Sequence, residues 1–466
     1  MCGNPLVEDQ TNAHCWFAAL INLSTPTTPN TFTARDYSRV IQKLLRIMSR
    51  PSIALISILS ALVVFLMLLA PGNPAQAATK KTLDASRQAA RRPAPVNIDG
   101  QAEARLIEIY RLIGAAKTRP ALALAEKLVK DHPNFQLAQL VYGDLLTAQQ
   151  QPVRMLGNVA DTLAQSGAVQ LAELRKESLL RIQALQSRPA AGTVPSQFLH
   201  LALKNRHAIA IDTTRARLYL FENSASGITL LGDYYISVGK SGTEKIVEGD
   251  LKTPLGIYFV TSNLNPKLLK DFYGSGALPI NYPNQLDIKR GKTGSGIWLH
   301  GTPPDQFSRA PLATDGCVVL ANPDLERIIR TVQIRSTPVV IAKNLQWIAP
   351  QNLQSDRASF EQTLNAWAAT KSGSDLTSLL AWYAPGFTSY GKSLADWTPN
   401  LQAELKKSAG RGIQLKDVSY LHWKDASDTM VVTFAELTQG ATSGVTKRQY
   451  WTRQGNQWKI FFEGII

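Results

Sequence analysis

The chain has 466 residues, 44% of them apolar and 18% charged, and a formal charge of +15. Such a composition excludes a disordered polymer, and the length implies two to four domains rather than one. The positive balance favours anionic surroundings such as nucleic acid, acidic lipid or a wall polymer. No Lys/Arg cluster interleaved with aromatics is present, which argues against a nucleic-acid groove and for a diffuse basic surface.

Residues 1–47 are mixed polar and rich in Thr, Pro and Asn. Met48-Ser49-Arg50 makes a more ordinary start, so the first 47 residues read as a mis-assigned extension or a disordered tail. The run IALISILSALVVFLMLLA, residues 53–70, is free of charge. Arg39, Lys43, Arg46 and Arg50 precede it, and Pro71, Gly72, Pro74 and Ala75-Gln76-Ala77 follow. A positive flank, an apolar core and a small-x-small end predict an export signal over 48–77, cleaved after Ala77. The alternative is an uncleaved inner-membrane anchor, because 18 helical residues span roughly 27 Å against a hydrocarbon core of ~30 Å. Both place the remainder outside the cytoplasm. Cys2 and Cys15 lie before this segment, so Cys317 is expected to be the one cysteine of the exported chain. With no internal disulfide partner, it is buried and inert, paired between chains, or reactive.

Residues 78–100, with ATKK and ARRPAP, read as a linker. From Ala102 the apolar period becomes helical: Leu106, Ile109, Tyr110 and Ile113, then a helix over Ala121–Lys130, a break at Asp131-His132-Pro133-Asn134, and Leu137, Leu140, Val141 and Leu145. With a further helix near Leu171–Leu185, residues 101–186 resemble a tetratricopeptide-like α-helical domain. It is either a surface for a protein partner or a homodimer, or a structural spacer. SRPAAGTVPS, residues 187–196, is a linker by composition. The period then changes to two: HAIAIDTTRARLYLFEN, TLLGDYYISVG, GIYFV, GIWLH, CVVL and PVVIA predict a mostly-β domain over 197–346, a sandwich or open barrel. Residues 356–466 begin with two helices and end in strands, with a hairpin turning at Gly455-Asn456. This α+β order resembles the nuclear-transport-factor-2-like fold. Its histidine, His422, reads as packed or solvated.

A reactive cysteine needs a base and donors for an oxyanion. Of the six histidines, His14 precedes the signal, His132 lies in a helical turn, His200 and His207 flank the entry to the β domain, and His422 is C-terminal. His300 ends an apolar strand 17 residues before Cys317. A strand, a Pro-rich loop and a second strand would bring both to one rim. Each taken alone has a plain structural explanation, a buried thiol and a backbone-bonded histidine. No Cys/His/Asp/Glu spacing suits a metal, and no glycine loop suits a phosphate or a cofactor.

The set TPLG (Thr253–Gly256), WLHG (Trp298–Gly301) and TDGC (Thr314–Cys317) resembles the L,D-transpeptidase catalytic domain, or YkuD family, over about residues 200–345. The resemblance implies a β-sandwich acting on peptidoglycan stem peptides, with Cys317 as nucleophile and His300 as proton donor and acceptor. It implies that Gly301 orients the imidazole through its carbonyl, and that the N–H groups of Gly316 and Cys317 form the oxyanion hole, with Thr314 and Asp315 as auxiliaries. Arg309, in the intervening loop, is a candidate for a substrate carboxylate, and Trp298 for substrate contact. Asp315 stands where many members have histidine, and Val319 where many have arginine. The chain is closer to the Asp-Gly-Cys branch, some members of which hydrolyse, and the domain order is similar to that of cell-shape-determining L,D-carboxypeptidases of helical bacteria. Three functions stay open: L,D-transpeptidation to an amine, the same thioester chemistry ending in water, and a non-catalytic wall-binding scaffold.

Overall fold

The structure is a computed structural model that describes residues 99–158, 167–408 and 411–466. The expected N-extension, the signal or anchor at 53–70 and nearly all of the first linker lie outside the described residues. Among the described residues, no helix is long and apolar enough to cross a membrane.

The first part is helical: α1 (Gln101–Gly114), α2 (Thr118–Asp131), α3 (Gln136–Thr147) and α4 (Ala168–Gln186). Leu106, Ile109, Tyr110 and Ile113 of α1 are buried with Ala121, Ala125 and Leu128 of α2 and Leu137, Val141 and Leu145 of α3. Helical spacing puts each set on one stripe, and burying that stripe, not intrinsic propensity, holds short helices together in water. The cluster extends beyond the helices, because Phe307 and Ala321 of the next domain belong to it.

Thirteen strands follow: β1 (Val194–Pro195), β2 (Phe198–His200), β3 (His207–Asp212), β4 (Arg217–Ser224), β5 (Gly227–Tyr235), β6 (Val238–Gly239), β7 (Gly256–Phe259), β8 (Ala277–Pro279), β9 (Trp298–His300), β10 (Leu312–Thr314), β11 (Val318–Val319), β12 (Pro338–Ala342) and β13 (Trp347–Ile348). Two helices interrupt them, α5 (Gln285–Lys289) and α6 (Asn322–Thr331). A five-stranded sheet runs β5-β4-β3-β12-β7, beside a three-stranded sheet β11-β9-β8 and a small pair β10-β6. One face of the large sheet, with Ile209, Ile211, Leu218 and Ile341, is buried with Leu299 and Val318 of the small sheet and Leu325 and Ile328 of α6. Its other face, with Ala208, Ala210, Tyr219, Phe221 and Val340, is buried against the C-terminal part. Burial on both faces is why HAIAID and PVVIA are continuously apolar instead of alternating.

The C-terminal part has α7 (Gln354–Ser372), α8 (Leu376–Leu380), the small hairpin β14 (Thr388–Ser389) and β15 (Lys392–Ser393), α9 (Leu394–Ser408) and four long strands. These are β16 (Ile413–Lys424), β17 (Asp428–Thr438), β18 (Val445–Gln454) and β19 (Gln457–Ile465), with the last hairpin turning through Gly455-Asn456. Trp367, Phe434, Trp451 and Ile460 are buried between sheet and helices.

Three readings of the sequence shift here. Phe198–His200, assigned to the central domain by the change of period, pairs instead with Tyr420 and Leu421 of β16 and becomes the fifth strand of the C-terminal sheet. Val194-Pro195, inside the expected linker, pairs with Trp347-Ile348. The chain thus crosses between the two sheets twice, which local period does not report. The helices α6 and α9 were not anticipated; α6 sits among short glycine-punctuated strands that mask its Leu325/Ile328 spacing.

Candidate active site

The site begins with two short strands. β9 ends at His300, and β11 starts directly after Cys317. They run parallel, with Val318 opposite Leu299 and Val319 opposite His300. One step back along that register sets Cys317 beside Trp298. Side chains alternate along a strand. Leu299 and Val318 turn into the core, so Cys317 and His300 share the opposite face as diagonal neighbours.

The turn before Cys317 is held by threonines. Gly316 has φ +125°, and a Cβ there would meet the Lys252 carbonyl oxygen at 2.7 Å, so only glycine fits. Thr314 Oγ1 donates to the Cys317 carbonyl at 2.7 Å and accepts from the Gly316 N–H at 3.1 Å. The fully buried Thr253 of TPLG donates to the Gly316 carbonyl at 2.9 Å and accepts from the Gly239 N–H at 2.9 Å. The Gly316 N–H expected in an oxyanion hole is therefore spoken for by Thr314. The N–H of Cys317 finds no acceptor among the described residues. Asp315 points outward and pairs with Lys240 Nζ at 2.9 Å. Both side chains are more than half exposed there, so the pair contributes little to stability.

His300 is buried, and its Nδ1 donates to the Gly301 carbonyl at 2.8 Å. A carbonyl only accepts, so the neutral ring carries its proton on Nδ1 and offers the Nε2 lone pair. Tyr273 lies edge-on to the ring at 5.1 Å between centroids, and Phe272 lies at 5.8 Å. The Gly301 peptide is itself clamped. Its N–H donates to the Tyr273 carbonyl at 3.1 Å. Asn322, the first residue of α6, accepts on Oδ1 from the N–H groups of Ser275 at 2.9 Å and Thr302 at 3.2 Å, and donates from Nδ2 to the Thr302 carbonyl at 2.9 Å. That amide packs flat on Gly301, where a Cβ would meet Asn322 Oδ1 at 2.0 Å. Gly301→Ala is thus expected to displace the carbonyl that orients His300 and to cut turnover by about 10²-fold. Product release by chromatography, with circular dichroism to establish an intact fold, checks this.

The electrostatics favour the neutral pair at rest. Burial pushes the Cys317 thiol up, the Trp298 N–H and Arg309 draw it down, and Asp315 opposes them. Burial lowers His300 to about 4, the Gly301 carbonyl resists, and Arg309 lowers it further. The thiol itself donates to the Gly296 carbonyl at 3.4 Å. The Trp298 ring lies 4.9 Å from that of Tyr273.

The other described histidines have separate surroundings. His132 packs on Phe307, His200 lies near Tyr420, His207 starts β3, and His422 Nε2 lies 3.0 Å from Asp428. Reasoning from sequence did not single out Phe272, Tyr273, Asn322 or Lys240.

Residues 206–341 match the model of the YkuD L,D-transpeptidase catalytic domain, and residues 359–464 that of the Cds6 C-terminal NTF2-like domain. Among solved structures, the chain is similar to Bd1075 of Bdellovibrio bacteriovorus, with a TM-score of 0.50 and 24% identity over 59% of this chain and 98% of that one. It is also similar to the helical cell shape determining protein Pgp2 of Campylobacter jejuni, with a TM-score of 0.46 and 22% identity over 62% and 99%. No curated protein matches the chain.

Proposed function

We propose that this chain, which carries an L,D-transpeptidase catalytic domain and a Cds6-type NTF2-like domain, is an exported cysteine enzyme acting on peptidoglycan tetrapeptide stems. The observation that carries this reading is the parallel β9–β11 pairing, which aligns Cys317 on one face with a His300 whose Nδ1 is committed to Gly301. In the proposed reaction Cys317 Sγ attacks the carbonyl of the L,D bond as its proton passes to His300 Nε2. The oxyanion takes the Cys317 N–H. Collapse breaks the C–N bond, the leaving D-alanine amine takes the proton from His300, and a thioester remains. An amine or water then attacks and gives its proton to His300, the C–S bond breaks, and Cys317 Sγ takes that proton back.

The amine acceptor gives a 3→3 cross-link or a protein attachment, and we take this transpeptidation as the first reading. The second, L,D-carboxypeptidation, is favoured by Asp315 before Gly316-Cys317 together with the NTF2-like domain. The helices α1–α4 are read as a tetratricopeptide-like spacer, the catalytic domain as starting at β3 and running to residue 346, and the segment 48–77 as signal or anchor. Incubation with disaccharide tetrapeptide and mass spectrometry of the products separates the readings: cross-linked dimer for transfer, tripeptide monomer for hydrolysis. Neither product nor an acyl adduct on Cys317 would leave a wall-binding scaffold.

The pH profile follows from the site. His300 must be neutral to accept the thiol proton, and its lowered pKa of about 4 keeps it so down to acid pH. The rate, kcat/KM, is therefore expected to hold from neutral pH to about 5 and to fall as the medium approaches 4, instead of declining near the 6.5 of an ordinary histidine. Measuring kcat/KM from pH 4 to 8 checks this; an acid limb at 6 to 7 would contradict it.

A further inference from the structure

A cleft of about 730 Å³ lies between the helices and the β-rich region, and one of its lining residues, Phe272, packs on His300. Gln136 of α3 and Val169, Gln170 and Glu173 of α4 line one wall, and Phe272 and Arg309 face them. Arg309 differs from the buried arginines nearby. Arg181 and Arg217 hold Glu103 at 2.7 Å each, and Arg217 also holds Asp233 at 2.6 Å. The half-buried guanidinium of Arg309 instead lies over the Phe272 ring, 4.4 Å from its centroid, with no carboxylate or hydrogen-bond partner among the described residues. Phe272 in turn lies against His300. Asp305 and Asp315 bear on the charge of Arg309, but neither reaches ion-pair distance, so the half-buried guanidinium keeps its hydrogen-bonding capacity for an anion that arrives from outside.

The loop that carries this residue is held in place on several sides. Phe307 stacks on Phe135 at 4.2 Å, and its N–H donates to the Asn134 carbonyl at 3.1 Å. Asn134 Nδ2 donates to the Pro304 carbonyl at 3.0 Å, and Ser308 Oγ donates to Glu177 Oε1 of α4 at 2.8 Å. From the sheet, the Tyr235 hydroxyl donates to the carbonyl of Arg309 itself at 2.9 Å, and Ser237 Oγ to that of Ala310 at 2.5 Å. Arg309 is thus presented by a rigid loop, so its guanidinium needs little ordering when an anion binds.

We infer that Arg309 is the receptor for the C-terminal carboxylate of the stem's leaving residue, held in the site by the helical region, so that the enzyme reads a free chain end one residue beyond the scissile bond. This rests on the proposed acyl-transfer reading. In a tetrapeptide the terminal carboxylate lies two bonds from the leaving nitrogen, and Arg309 is joined to the His300 side of the site by the Phe272 ring, 4.4 Å from the guanidinium and 5.8 Å from the imidazole. A guanidinium fork accepts a carboxylate through two parallel hydrogen bonds. A stem extended by another residue, or capped as an amide, has no anion there. The helical region then has a second use besides spacing, as the support of the specificity loop.

The test compares disaccharide tetrapeptide with its C-terminal carboxamide. The wild-type enzyme is expected to favour the free acid by about 10²-fold in kcat/KM. Arg309→Met is expected to bring the acid-to-amide ratio close to one, chiefly through KM, and Arg309→Lys to keep part of it. Equal use of both substrates by the wild type, or an equal loss on both in Arg309→Met, would overturn the assignment. Binding of the two peptides to Cys317→Ala by calorimetry gives a reading without turnover: acid bound over amide, and that preference lost on adding Arg309→Met. If Cys317→Ala still released the D-residue, the thioester reading would fail whatever Arg309 does.

Discussion

Replacing Cys317 with alanine is expected to lower turnover of disaccharide tetrapeptide by at least about 10⁴-fold, and replacing His300 with glutamine by about 10³-fold. The two losses should not add, because the proposed nucleophile and base act in one step, so the double variant is expected to match Cys317→Ala. The cysteine cannot be replaced by another residue of this face, since Val319 and Trp298 beside it carry no nucleophile. The histidine cannot be replaced because its Nε2 is presented by the Nδ1 bond to Gly301 at 2.8 Å. Both variants should keep the wild-type melting temperature within a few degrees, because Cys317 is at the rim and glutamine can offer a donor to the Gly301 carbonyl. Turnover of the purified variants, together with covalent labelling of the thiol by a carbapenem, measures this. A Cys317→Ala protein that still releases D-alanine would refute the assignment.

Removing the charge of Arg217 is expected to be the most destabilising single change, by about 3–5 kcal/mol for Arg217→Met. Arg217 of β4 is almost wholly buried and joins Glu103 of α1 to Asp233 of β5, while Arg181 of α4 joins Glu103 to Glu177. Burial would raise the Glu103 carboxyl, but Arg217 and Arg181 together hold it at about 2. Glu177 and Asp233 each lean mainly on one guanidinium and are pushed up by burial instead. Losing Arg217 leaves two carboxylates inside with too little counter-charge. Urea unfolding at pH 7 measures the loss. The Glu103 contribution has a defined pH window: with its folded pKa below the ordinary 4.5, it is complete above that value and disappears as pH falls toward about 2. Because Ser308 donates to Glu177, the same variant is expected to loosen the Arg309 loop and raise KM.

How far the residues reveal the molecule differs from element to element. The stripe Leu106, Ile109, Tyr110, Ile113 specifies a helix because its spacing alone places four side chains on one face, and all four are buried. HAIAID and PVVIA specify strands by a different local signal, a short apolar run with β-branched residues and no one-face spacing. The placement of His300 and Cys317 on one strand face was legible because the chemistry of a thiol nucleophile admits few partners and only one cysteine lies beyond the expected signal segment. Period could not assign Phe198–His200 to a sheet, since a three-residue strand pairs equally well with either neighbour until both have folded. Nor could it reveal Asn322 or Phe272, whose parts depend on where a helix start and a loop come to rest against the Gly301 peptide and the His300 ring.

The sequence by itself determined where helical period gives way to strand period and which histidine and cysteine make the candidate pair, because each depends on local period or on residue type. The tertiary structure alone decided that Thr314 takes the Gly316 N–H, that Asp315 turns out to Lys240, and that Arg309 sits on a loop braced by the helices with no ion pair among the described residues. These depend on contacts between segments up to 170 residues apart, as between Asn134 and Pro304, and on which buried charges already have partners. Neither is a property of any short stretch of chain.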